Sequence, residues 1–258
     1  MSVQGSHEAL VGGQFGSRAR AYLTSAVHSQ GPDLQAIVAL VKGRTDAEVL
    51  DLGSGGGHVT FNVAPHVRSV TAYDLSPEML DVVAGAARER GLANVATQRG
   101  VAEELPFDDQ RFDVVMSRLS AHHWRDVNAG LREAARVLKP GGMAVFVDAV
   151  SPGVPLLDTF LQTIELLRDC SHVRDYSRSE WEAALAGVGL VVEATSHFRF
   201  HIDFKSWVER MNTPSGQVEA IRALQTSVSE IVTRYFQIEA DGSHKLDVAL
   251  FQAVKPAG

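Results

Sequence analysis

The stretch VLDLGSGGGHVT (residues 49–60) constrains this chain more than any other. A short apolar run ends in an aspartate, glycines follow at 53, 55, 56 and 57, and a helix-compatible segment begins at once. A buried strand that turns sharply into a helix accommodates that order, because glycine enters left-handed backbone without strain and lets other groups approach the main chain. The rhythm then repeats. SVTAYDL (69–75), NVATQRG (94–100), FDVVMSR (112–118) and MAVFVDAV (143–150) read as further strands separated by helical spacing. Ser76 is placed to cap one helix, Pro77 suits its first turn and Gly91 closes it; another helix runs from about Asp126 to Leu138. The Lys139–Gly142 segment reads as a turn. Strands alternating with helices imply βαβ units, hence an α/β fold with a mostly parallel sheet and helices on both faces.

The flanks are less regular. Residues 14–29 carry Phe15, Ala19, Tyr22, Leu23 and Ala26 at helical spacing after a polar start, and Asp33 looks like the N-cap of a helix that Gly43 ends. Beyond residue 151, segments 155–170 and 178–187 read as amphipathic helices, and LVVEATSHFRFHIDF as a sixth strand. A mostly helical stretch, 205–236, precedes a seventh strand at KLDVALFQAV (245–254). That stretch exceeds what a connection needs and reads as an insertion that covers the site, with Trp207 and Met211 packing it. The division expected is one domain in three parts. Residues 1–45 form N-terminal helices capping the cofactor site, 46–150 form the cofactor-binding core, and 151–258 complete the sheet with the helical lid insertion.

Composition narrows the classes of function. A formal net charge of −7 argues against nonspecific nucleic-acid binding, which needs a basic surface to displace counterions. Cys170 stands alone, so neither an intrachain disulfide nor a thiolate metal cluster can form. The N-terminus lacks a basic segment followed by an apolar core, and no apolar run reaches the roughly 18 residues of a membrane span, so a cytoplasmic location is expected.

Three chemistries use glycine loops of this kind. A P-loop requires a lysine directly after its last glycine, and His58 and Val59 stand there instead. The dinucleotide fingerprint requires a small residue where His58 falls, and Asp51 would sit close to a pyrophosphate and repel it. An ammonium or sulfonium group is attracted by that same carboxylate. S-adenosylmethionine carries both, and its own carboxylate can be received by backbone N–H groups of the loop and the helix start. Asp51 can then hold its amino group, and Asp74, at the tip of the next strand, can accept both ribose hydroxyls.

EVLDLGSGGG, VTAYDLSPEML, GVAEELPFDDQRFDVVMSR and LREAARVLKPGG, in this order, resemble the class I S-adenosylmethionine-dependent methyltransferases, most closely the UbiE-like group (methyltransferase type 11). QFGSRARAYLTSAVHSQGPDL, SAHHW and CSHVRDYS are similar to a bacterial YafE-like subgroup. The resemblance implies a Rossmann-like, seven-stranded sheet with the last strand antiparallel. It also implies a methyl transfer from S-adenosylmethionine to a C, O or N nucleophile, leaving S-adenosylhomocysteine. In this reading Asp51, Gly53, Ser54 and Gly55 line the methionine end and Asp74 takes the ribose. Leu75 and Met79 lie against the adenine, Ala102 and Glu103 frame its edge, and Ser117 and Arg118 approach the methionine moiety. The N-terminal helix would lie over the cofactor, so that Tyr22 could touch its methionine end, with Phe15 rather in the core.

The acceptor side is less defined. His122 and His123 follow the fourth strand at the carboxyl edge of the sheet, and either could act as a base if the acceptor needs one, His122 being the first choice. His28, Arg174 and Tyr176 have the chemistry to touch a substrate. No metal is expected, because adjacent histidines point in different directions and spacing identifies no third ligand. The acceptor is expected to be a small molecule rather than a nucleic acid. A protein that senses the cofactor without transferring methyl groups is the alternative, and a nicotinamide-dependent oxidoreductase is disfavoured by Asp51 and His58.

Overall fold

The computed structural model describes residues 6–16 and 31–257. Five strands, β1 (Glu48–Leu52), β2 (Ser69–Asp74), β3 (Val95–Arg99), β4 (Phe112–Arg118) and β5 (Leu138–Ala149), lie parallel. β6 (Val191–Ile202) forms the far edge, and β7 (His244–Val254) runs antiparallel between it and β5. The order across the sheet is β3-β2-β1-β4-β5-β7-β6. The expected seven-stranded, mostly parallel sheet is thus the one found, with the single reversed strand where it was placed.

Alternation along each strand sends neighbours to opposite faces. Val49 packs with Leu34, Ile37 and Val41 of α2 (Pro32–Val41) and with Val59 and Val63 of α3 (His58–Val63). Leu50 and Leu52 face the other way, toward Leu131 and Ala134 of α5 (Val127–Val137). Between them in sequence, α4 (Pro77–Glu89) links β2 to β3, capped by the Ser76 hydroxyl, which accepts the Met79 N–H as expected. Farther along the same face as α5, Trp181 of α7 (Arg178–Gly187) stacks on Phe251 of β7 at 5.4 Å. Ser177 and Glu180 form a capping box at the start of α7.

Several local expectations change. The polar N-terminal segment forms a helix, α1 (His7–Gly16), whereas most of the helix expected over 14–29 lies outside the described residues. Asp33 is not an N-cap. Gly31 holds that position, and the Asp33 carboxylate, fully buried, turns inward to a bidentate pair with Arg118 at the end of β4. The Lys139–Gly142 turn is a bulge inside β5: the register jumps from Phe112↔Leu138 to Val114↔Met143, and Gly141 takes a φ of +74°.

The 205–236 region is three helices, α8 (Phe204–Met211), α9 (Ser215–Ser227) and α10 (Glu230–Phe236). They bury Trp207, Ile221, Val232 and Phe236 against Phe160 and Ile164 of α6 (Pro155–Arg168). Their place is thus a satellite core beside β7. No helix among the described residues is long and apolar enough to cross a membrane.

Gly130 of α5 lets Trp124 pack flat on the helix, since a Cβ there would lie 2.5 Å from the indole ring. Gly130→Val is expected to lower stability by about 2 kcal/mol through overpacking, seen as a lower urea midpoint at unchanged slope.

Candidate functional site

Strands β1 and β4 are neighbours, yet the chain leaves β1 toward β2 and leaves β4 toward β5. At such a switch point the connecting loops diverge and open a crevice beyond the carboxyl ends of the strands. The cavity there is lined from β1 and its loop by Asp51, Gly53, Ser54 and Gly55, and from the tip of β2 by Asp74 and Leu75. Met79, Ala102 and Glu103 close one side, and Arg118 and His123 stand at the end of β4.

The glycine loop is held by its neighbours' main chain. Gly53 and Ser54 N–H groups donate to the Tyr73 carbonyl, and the Gly55 N–H donates to Asp74 Oδ2 at 2.8 Å. Asp74 Oδ1 accepts the Ser76 N–H at 2.9 Å. Gly53 needs its φ of +73° and also its missing side chain, because a Cβ would meet Ser120 Oγ at 1.9 Å. Asp51 Oδ2 accepts both the N–H (3.0 Å) and the hydroxyl (2.6 Å) of Thr60. Burial outweighs those bonds and raises the Asp51 carboxyl to about 6, with the nearby Asp74 charge adding to the rise. Burial also raises Asp74, against the bonds from Ser76 and Gly55. Two strand-end carboxylates are therefore held where ionisation is costly.

The roof of the cavity is α1, which sequence reasoning left as a polar start. His7, Glu8, Val11, Gly12 and Phe15 line the space below it. His7 Nε2 lies 2.8 Å from the His123 carbonyl, Glu8 pairs with Arg125 at 2.7 Å, and the Gln14 amide reaches the Met211 carbonyl. Phe15, expected in the core, instead lines the cavity and meets the His123 ring edge-on at 4.9 Å. The double glycine at 12–13 masked this helix, and only Phe15 stood in the recognised pattern. Trp124, also missed, lines the wall and donates from Nε1 to Ser120 Oγ; its position just after two histidines at a strand's carboxyl edge was the available signal.

Four expected site residues fall outside the lining. Ser117 is buried within β4. The His122 ring turns away to Asp148, with Nδ1 2.5 Å from Oδ1. Arg174 is engaged by Asp158 and Glu180, and the Tyr176 ring packs edge-on to Trp181. Tyr22 and His28 lie outside the described residues.

Behind His123 sits a buried polar cluster. His123 Nδ1 is 3.1 Å from the Ser171 carbonyl, and its Nε2 is 3.9 Å from Asp169 Oδ2. His172 Nε2 lies 3.0 Å from Gln162 Oε1. Burial alone would lower His122, but the Asp148 carboxylate outweighs it and raises the imidazole to about 9. Burial, with the His122 charge beside it, lowers His123 to about 3. Burial pushes Asp175 well above the carboxylate range and raises Glu165.

Comparison with known proteins agrees with this geometry. A family profile described as "Methyltransferase domain" matches residues 50–146. The chain is 49% identical to Escherichia coli YafE over 201 residues, covering 78% of this chain and 97% of that protein. The crystal structure of Bacillus subtilis YcgJ, a methyltransferase by name, superposes with a TM-score of 0.84 at 35% identity, covering 88% of this chain and 99% of that one. Demethylmenaquinone methyltransferase of Chlorobaculum parvum is 37% identical over 119 residues, covering 45% of this chain and 47% of that enzyme.

The state of Asp51 has a measurable consequence for the free protein. Its carboxyl titrates at about 6 in the fold and lower when unfolded, so the folded chain binds the extra proton, and this contribution to stability is lost as pH rises through 6. Asp51→Asn removes the charge and keeps an oxygen for Thr60. It is expected to be more stable than the wild type by about 2–3 kcal/mol at pH 7.5 and equal to it near pH 4, by urea unfolding.

Proposed function

Since the chain belongs to the class I S-adenosylmethionine-dependent methyltransferases, we propose that its methyl acceptor is a small molecule that meets the donor between Phe15, His123 and Trp124, beneath α1. The observation that carries this reading is the placement of His123. It is the polar ring at the end of β4 that faces the cavity, and its Nδ1 is held at the Ser171 carbonyl.

The donor fits the residues present. Asp74 would hold the ribose hydroxyls with the lone pairs left by Gly55 and Ser76. The Ser54 hydroxyl, which has no partner among the described residues, would donate to the methionine carboxylate, and Asp51 would take the ammonium. Met79, Leu75 and Ala102 give an apolar bed for a purine, with Glu103 at its edge. S-adenosylmethionine, when bound, supplies a methyl group on a cationic sulfur. A cationic ligand also offsets the cost of ionising the buried Asp51 beside the half-buried Asp74.

The chain's own work is alignment and exclusion of water. Phe15, Val11 and Trp124 present apolar surface to the acceptor. The His123 ring, with Phe15 against it, would contact the acceptor and turn its nucleophilic oxygen or carbon toward the sulfur. Hydroquinones are the first acceptor class to test, because demethylmenaquinone methyltransferase is among the relatives and an apolar, hydroxylated ring suits this wall.

The test couples binding with turnover. Calorimetry with S-adenosylhomocysteine is expected to show at least tenfold weaker binding for Asp74→Ala and binding within twofold of the wild type for His123→Ala. With labelled S-adenosylmethionine and a hydroquinone panel, His123→Ala is expected to lose at least tenfold in kcat. Wild-type affinity for S-adenosylhomocysteine in Asp74→Ala overturns the ribose assignment, and unchanged turnover in His123→Ala overturns the acceptor assignment.

A further inference from the structure

The buried cluster behind the cavity contains a carboxylate, Asp175, with an unpartnered oxygen beside the His122–Asp148 pair. His122 leaves the short 3-10 turn that follows β4, Asp148 stands at the end of β5, and Asp175 comes from the loop between α6 and α7. Each offers one ligand atom, and the three atoms lie within 4.8 Å of one another. Asp148 and Asp175 are 2% and 1% exposed. Asp175 Oδ2 is fully buried and has no hydrogen-bond partner among the described residues. Nearby cations are committed elsewhere: Arg168 to Glu165 and the face of Trp207, Arg174 to Asp158 and Glu180.

The scaffold fixes this arrangement from the main chain. Val173 N–H donates to the His122 carbonyl at 2.8 Å, which clamps the α6–α7 loop onto the turn. Gln162 accepts the Asp175 N–H at 3.0 Å and donates to the Asp175 carbonyl at 2.7 Å. The Asp148 carboxylate also accepts the main-chain N–H of His122. Every backbone group around Asp175 that the fold uses is thus satisfied, while its carboxylate is aimed inward.

We propose that His122, Asp148 and Asp175 form a binding site for one divalent transition-metal cation. A dication displaces the proton held between His122 and Asp148, and with two carboxylates and the resulting neutral imidazole it makes a group of zero net charge, the arrangement in which buried charges are least costly. An imidazole with carboxylates selects Zn²⁺, Mn²⁺ or Fe²⁺ over Mg²⁺ or Ca²⁺, which prefer oxygen alone. The ion ties β4, β5 and the α6–α7 loop together directly behind His123. Its role is to fix the wall of the cavity, since His122, Asp148 and Asp175 are not part of the lining. Spacing conceals this site, because its ligands come from three separate segments.

The experiment uses the full-length protein, stripped with EDTA and dialysed. Titration with Zn²⁺ and Mn²⁺ by calorimetry is expected to show one site of micromolar or tighter affinity for at least one of them, with a rise of several degrees in Tm on loading. Elemental analysis of the reloaded, gel-filtered protein is expected to give about one equivalent. Asp175→Asn and Asp148→Asn keep shape and remove charge, and each is expected to weaken binding at least tenfold. Binding of S-adenosylhomocysteine to the same stripped samples reports folding and tests the methyltransferase site separately. Absence of Zn²⁺ and Mn²⁺ binding below 100 micromolar in the wild type, with S-adenosylhomocysteine still bound, overturns the proposal. Wild-type metal affinity in both Asn variants overturns it equally, by placing the ion elsewhere.

Discussion

One half-buried carboxylate holds the mouth of this molecule in shape. Asp74 accepts the Gly55 N–H with one oxygen and the Ser76 N–H with the other, so the loop after β1 and the helix start after β2 are tied to a single side chain. Both tied groups sit at strand ends that parallel pairing brings level: Asp51 of β1 lies opposite Ala72 of β2, and Leu52 opposite Tyr73. Beside that tie, the Tyr73 carbonyl accepts the Gly53 and Ser54 N–H groups, and the Ser54 carbonyl accepts the Gly57 N–H. The loop's shape and its electrostatics therefore have the same source, and a substitution at Asp74 acts on both.

The acceptor side is organised by a different principle. Its polar groups are mostly buried, and they are arranged by loops rather than by strand ends. Arg118 and Asp33 neutralise one another at the base of the cavity, joining α2 to β4. Such a pair is weak evidence for stability, because desolvation offsets most of the attraction, but it fixes the position of both elements. Beside it, His123 is held by Ser171 and roofed by Phe15, so its orientation depends on two segments far apart in the chain.

The sheet, its order of elements and the cofactor half of the site were legible because local patterns encode them. Apolar runs mark buried strands, Ser76–Pro77 marks a helix start, and Asp51, the glycines and Asp74 are strand-end residues whose place follows once the strands are known. What escaped reading was tertiary in origin. Asp33 carries the signature of a cap, yet a buried arginine competes for it and wins. The Lys139–Gly142 segment has turn composition, but β7 supplies Lys255 as a main-chain partner and the strand continues through a bulge. Of the adjacent histidines, His122 was preferred, and the structure turns it to Asp148 while His123 faces the cavity. No periodicity distinguishes two neighbours in a 3-10 turn.

The roof has a property that follows from what it lacks. No residue among 6–15 is buried, and none belongs to the clusters that hold the sheet and its helices together. Among the described residues its attachments include polar contacts, the Phe15 ring against His123, and a Glu8–Arg125 pair at the surface, where ion pairs contribute about 0–1 kcal/mol. The described part of the cover adds no side chain to those cores, so a change of residue along it reshapes the doorway without altering them.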